Sequence, residues 1–207
     1  MKKSQGVKRF RREIPLYEVS GSNQAYGMKF LKRLGIGLAL LIGVVLVIPL
    51  FTKSEYSVVR EITVSRPKAE VFAYIQLLKN QDNFSVWANM DKQMKKSYKG
   101  TDGTVGFVSA WESADNNVGA GEQEIKKILP GERIDYELRF LKPMKATNEA
   151  YMKVESLGEK ETKIFWGFHA KTPYPFNAML LFFDAERLIG NAFAEGLTNL
   201  KKLLEKK

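Results

Sequence analysis

The sequence has no cysteine and a single histidine in 207 residues. Without cysteine there is no disulfide framework, no lipid-modified cysteine and no cysteine-ligated metal. His169 alone cannot build a histidine-based metal cluster, and a Ser/His triad would have no reserve. The G-x-S-x-G, P-loop and H-E-x-x-H signatures are also missing. No catalytic motif is present, and nothing calls for a cofactor.

Acidic charge is scarce at one end. Residues 1–53 hold ten Lys and Arg against two acids, so +8 of the net +10 lies there. Residues 54–207 carry only +2. A nucleic-acid-binding domain would need its own basic face, and this distribution offers none.

One long apolar run is present. Leu34 to Phe51 reads LGIGLALLIGVVLVIPLF, eighteen residues without a charge. As a helix it would span about 27 Å, close to the hydrocarbon thickness of a bilayer. Lys32, Arg33 and Lys53 can snorkel at its ends. A cleaved signal peptide would have a shorter apolar region and a small-residue cleavage site, and no A-x-A pattern follows Val47. The spacing therefore predicts a basic cytoplasmic tail (1–33), a transmembrane signal anchor (34–52) and a folded domain (54–207). Basic residues before the run outnumber Lys53 after it. The positive-inside rule then predicts a single-pass inner-membrane protein with an extracytoplasmic C-terminal domain. Residues 1–27 show no periodicity and read as a disordered tail. Gly35, Ala39 and Gly43 share one helix face, a spacing that permits a weak helix dimer.

After the anchor, Tyr56–Val64 reads as a strand. In SRPKAEVFAYI, Pro67 suits a first helical turn, and Ala69, Val71, Phe72 and Ile75 supply an apolar face. A second short helix or turn is expected over Gln81–Ala88. Strands follow, punctuated by turns at Asp102-Gly103, at 116–121 and at 130–132, with the DG pair read as a hairpin turn. Ile134, Tyr136, Leu138 and Phe140 alternate with charged residues. Asn148 shares a face with Ala146, Ala150, Met152 and Val154, while Trp166 and Phe168 lie opposite His169. Such alternation predicts a half-buried antiparallel sheet. From Asn177 to about Glu205 the pattern is helical, with Phe182, Ile189, Phe193, Leu197, Leu200 and Leu204 on one stripe.

The order is strand, one or two helices, about six strands and a long helix. With the stretches VSRPKAEVFAYI, GTDGTVGFVSAW, GAGEQEIKKILPGERIDYELRF, IFWGF, PYPFN and EGLTNLKKLLE, it resembles the START-like helix-grip (SRPBCC) superfamily. The similarity is to its bacterial polyketide cyclase/dehydrase and lipid-transport branch, over roughly residues 55–205. The resemblance implies an α+β fold in which a curved antiparallel sheet of about seven strands wraps around the C-terminal helix. It also implies a cavity between sheet and helix that binds a hydrophobic small molecule or lipid. These motifs mark the fold rather than an activity.

Strand parity and helical spacing assign the cavity lining to Trp111, Tyr136, Leu138, Phe140, Asn148, Met152, Trp166, Phe168, Phe182, Ile189 and Phe193, with Phe183 nearby. Asn148 is the polar candidate for orienting a ligand; a hydrogen-bonded core asparagine is the plainer reading. Glu122 and Glu124 share one strand face. Paired carboxylates can run acid/base chemistry, but a solvated strand face is the plainer reading. The absence of a dedicated acid–base pair favours a membrane-anchored binding protein; the alternatives are a cyclase, dehydrase or hydrolase using a cavity carboxylate or Tyr, and an interaction module with a collapsed cavity.

Overall fold

A computed structural model describes residues 22–182 and 184–206. The tail over 1–21 and Phe183 lie outside the described residues. Helix α1 spans Ser22–Val47, so the helix begins well ahead of Leu34, inside the stretch read as an unstructured tail. On the face with the small residues, Gly35 and Ala39 are exposed and Gly43 is half-buried. Met28–Phe51 is long and apolar enough to cross a membrane by length and composition.

The chain divides into two compact units, residues 1–45 and 46–207. The second opens with a 3₁₀ turn, Ile48–Phe51, in which Pro49 occupies an early position and is buried. Seven antiparallel strands follow: β1 (Glu55–Val64), β2 (Lys95–Lys99), β3 (Val108–Glu112), β4 (Ala120–Leu129), β5 (Arg133–Lys142), β6 (Ala146–Gly158) and β7 (Glu161–Lys171). They form one sheet in the order β1-β7-β6-β5-β4-β3-β2. Bulges between β4 and β5, at Ala120/Gly121 and Ile125/Lys127, bend the sheet so that one face is concave.

Helix α2 (Lys68–Gln76) starts after Pro67, which acts as its cap rather than its first residue. Its Val71, Phe72 and Ile75 are buried on β6 and β7. A 3₁₀ turn (Leu78–Asn83) and a short helix α3 (Val86–Met90) follow, as expected for that stretch. Asp102-Gly103 lies within the longer connection from β2 to β3, and the aspartate has a structural task. Its carboxylate accepts from the backbone N–H groups of Leu78 (2.7 Å), Lys79 (3.2 Å) and Gly103 (2.9 Å). The loop therefore ties the sheet's far edge to the turn beneath α2.

The C-terminal helix is shorter than its pattern suggested. Residues Phe176–Leu181 form a separate 3₁₀ turn, and α4 spans Ala185–Glu205. Asp184 caps α4 by accepting from the Arg187 N–H at 2.9 Å. Phe193, Leu197 and Leu200 are buried against the sheet. Gly196 allows this approach: a Cβ there would sit 2.8 Å from Cζ3 of Trp166. The far end of α4 is tied down where the Ser65 N–H donates to Glu205 (2.6 Å) and Arg66 Nε to the Leu204 carbonyl (2.6 Å).

Replacing Asp102 with Ala should leave the Leu78 and Lys79 amides without their acceptor. The expected loss is about 1–3 kcal/mol, the usual penalty for such orphaned groups. Urea denaturation of wild type and Asp102→Ala measures it, and Asp102→Asn should recover part of the loss.

Candidate functional site

The concave face is divided between two covers. Over one half α2 closes the sheet, so Met152, Ile134 and Ile164 are fully buried core. Over the other half α4 and α3 stand off, leaving a cavity of about 270 Å³. Its walls are mainly aromatic. Phe193 stacks on Trp166 with ring centroids 4.5 Å apart, and Trp87 meets Phe193 edge-on at 5.7 Å. On another wall Trp111 meets Phe140 edge-on at 6.1 Å. Gly121 opposes Trp111 in the ladder, and a Cβ there would lie 2.7 Å from the indole.

Polar groups are few and grouped. Gln81, Asp82 and Ser85 line the cavity from the turn before α3, and Lys96, Ser109 and Gln123 from the strands. Asp82 is held from two sides: Lys96 Nζ lies 2.9 Å from one carboxylate oxygen, and the Tyr98 hydroxyl donates to the other at 2.8 Å. Tyr136 lies beside Ala150 in the ladder, buried behind the lining. Burial pushes its phenol up, and the Gln81 amide faces it. Neither the Tyr136 hydroxyl nor the Gln81 amide nitrogen reaches a partner within hydrogen-bonding geometry.

Seven of the eleven residues assigned from the sequence border this cavity: Trp111, Leu138, Phe140, Trp166, Phe168, Ile189 and Phe193. Tyr136 and Met152 belong instead to the packed core: Met152 lies under α2, and Tyr136 is buried facing Gln81 of the 3₁₀ turn. Asn148 lies on the concave side opposite Leu138 but is not part of the lining. Phe182 is 91% exposed, since it falls in the turn between the 3₁₀ segment and α4 rather than on the helix stripe. Sequence reasoning missed Trp87, Gln81, Ser85, Met94 and Lys96. Helix α3 is five residues long, too short to display a period. Trp87, a lone indole in a polar stretch, was its one visible signal.

The other candidates lie elsewhere. Glu122 and Glu124 are on the convex face, where Arg139 gathers them at 2.5 and 2.7 Å and also pairs with Glu137. The Arg139 hydrogen bond, with help from Lys126, holds the Glu124 carboxyl below its ordinary range. His169 is also convex, with Nδ1 2.9 Å from the Ser57 hydroxyl. Among the described residues, no group of three or more His, Cys, Asp or Glu could hold a metal ion.

Residues 55–205, from β1 to the end of α4, match the model of a family described as polyketide cyclase / dehydrase and lipid transport. The chain belongs to this family. No curated protein matches it. Among solved structures, truncated norcoclaurine synthase from Thalictrum flavum is similar at 10% identity over 74% of this chain and 95% of that one, with a TM-score of 0.57. Protein CV1439 from Chromobacterium violaceum aligns at 15% identity over 73% and 98%, with a TM-score of 0.51. Aha1 from Colwellia psychrerythraea aligns at 14% over 72% and 96%, with a TM-score of 0.50. At such identities these likenesses show the fold alone.

The Tyr98–Asp82 bond at the cavity edge gives a pH signature. Burial, then the hydrogen bond to Asp82, pushes the Tyr98 phenol up from 10 to about 12. The folded state therefore favours the neutral phenol. Its contribution to stability is complete below pH 10 and is lost as the pH rises toward about 12. Denaturant curves across that interval should show stability falling, and the fall should be shallower in Tyr98→Phe.

Proposed function

We propose that the protein is a membrane-anchored binding protein that holds a hydrophobic small molecule or lipid between the sheet and α4. The observation that carries this reading is the aromatic cavity itself. Its volume of about 270 Å³ lies near the small end of ligand pockets, which run about 300–1,000 Å³. That suits a compact apolar molecule, or one acyl chain with its polar end outside. Gln81, Ser85 and Gln123 offer neutral hydrogen-bonding groups, and the Lys96–Asp82 pair offers a charged one. The family's description includes lipid transport, which fits this use of the fold. A catalytic reading has less support: Asp82 is the one carboxylate in the lining, and Lys96 and Tyr98 already engage it.

The anchoring half of the proposal rests on Met28–Phe51, with basic residues concentrated before its apolar run. In this reading the N-terminus stays in the cytoplasm and the domain lies outside. Gly35, Ala39 and Gly43 would let two such helices pack closely.

Binding is tested with a fluorescent fatty-acid probe on residues 46–207. The wild type should bind and Ala150→Phe should not, because Ala150 lies on the cavity floor between Tyr136 and Phe168. If filling that space overpacks the core, the cost should be about 1–3 kcal/mol. Ser109→Trp, approaching from another strand, checks that lost binding reflects lost space. No probe binding by a cooperatively melting wild type would favour a collapsed interaction module.

Orientation is tested separately. A reporter active only in the cytoplasm, fused after Lys207, should stay silent. A strong signal would reverse the topology.

A further inference from the structure

One end of the sheet combines three features. The ladder pairs Glu55 with Lys171, Phe140 with Ala146, Ala120 with Lys142 and Glu112 with Ala120, so these termini lie together. The cavity opens toward this end, since Phe140, Trp111, Asn117 and Val118 line it. The chain also enters the sheet here, with three residues between Phe51 and Glu55. Finally, exposed apolar side chains gather here on separate loops. Leu141 projects from the end of β5, Met144 from the β5–β6 turn, Phe176, Met179 and Phe182 from the β7–α4 connection, and Phe51 from the entry turn.

Two of these loops are locked together. Asn177 is buried, and its side-chain amide donates to the carbonyls of Pro49 (2.8 Å) and Thr52 (3.0 Å). The Tyr174 hydroxyl donates to the Leu46 carbonyl at 3.0 Å. The loop carrying Phe176 and Phe182 is thus fastened to the exit of the apolar run. Lys53 and Lys145 are exposed at the same end.

We propose that this rim enters the lipid interface, so that the cavity mouth faces the bilayer and exchanges its ligand with the membrane. The occupant is a lipid surface because the rim is continuous with the exit of the apolar helix. Where that helix leaves the hydrocarbon, the clamped loop is held at interfacial depth. Aromatic and apolar side chains favour that depth, and lysines there meet anionic headgroups. This rests on the anchored reading above.

The absence of cysteine makes the test direct. Single variants Met144→Cys, Phe182→Cys, Leu41→Cys and Lys160→Cys are made in the full chain and labelled with an environment-sensitive fluorophore. They are reconstituted in phosphatidylcholine/phosphatidylglycerol vesicles with and without doxyl-lipid quencher. Labels at 144 and 182 should shift to the blue and lose emission with quencher, whereas the label at 160, at the opposite end of the sheet, should do neither. Quenching at 41 without quenching at 144 and 182 overturns the rim while leaving the anchor intact, and would turn attention to a protein partner. No quenching at 41 overturns the anchor and the rim with it. Equal quenching at 160 and 144 overturns the orientation.

Discussion

The approach of α4 to the sheet governs the rest of the domain. Gly196 removes the one Cβ that would hold the helix off Trp166, and Phe193, one turn earlier, stacks on the same indole. From that contact toward its C-terminus α4 is buried through Leu197 and Leu200, and toward its N-terminus it stays on β1, where a Cβ on Gly190 would meet the Arg60 guanidinium and Glu186 pairs with Arg60. Between Ile189 and Phe193 of α4 and the strands beyond β7, the side chains of the concave face leave a gap, and α2 covers only the other half. That gap is the void lined by aromatic rings.

The polar groups around that void are arranged conservatively. The one lining carboxylate is neutralised by Lys96 and braced by Tyr98, and the Glu122/Glu124 pair is turned outward and bound by Arg139. Buried charge is costly unless paired, and here each carboxylate near the site has a cation beside it. What remains facing the cavity is mostly neutral, which suits recognition by shape and apolar area.

Much of the architecture was legible in the sequence because strands and long helices repeat their signals. The alternation from Ile134 to Phe140 and the spacing of Phe193, Leu197 and Leu200 named the concave face and the gripping helix correctly. Parity says which face a residue occupies but not what covers it. Met152 and Trp166 are neighbours on one face, yet one is under α2 in the core and the other borders the cavity. The Phe182 error has a different origin. Helical periodicity extrapolated through Asn177–Asp184, where the chain instead makes a 3₁₀ turn whose Asn177 serves carbonyls more than a hundred residues earlier. Short elements such as α3 carry too few residues to announce a face, so Trp87 went unassigned.

The spacer between the 3₁₀ turn and β1 is only Thr52–Ser54. Fully extended, three residues span about 10 Å. In the anchored reading proposed above, a domain joined by so short a spacer could not ferry cargo across an aqueous gap to another compartment. It would meet its ligand by lateral diffusion in a two-dimensional sheet, so its occupancy would follow the ligand's surface density rather than its concentration in solution.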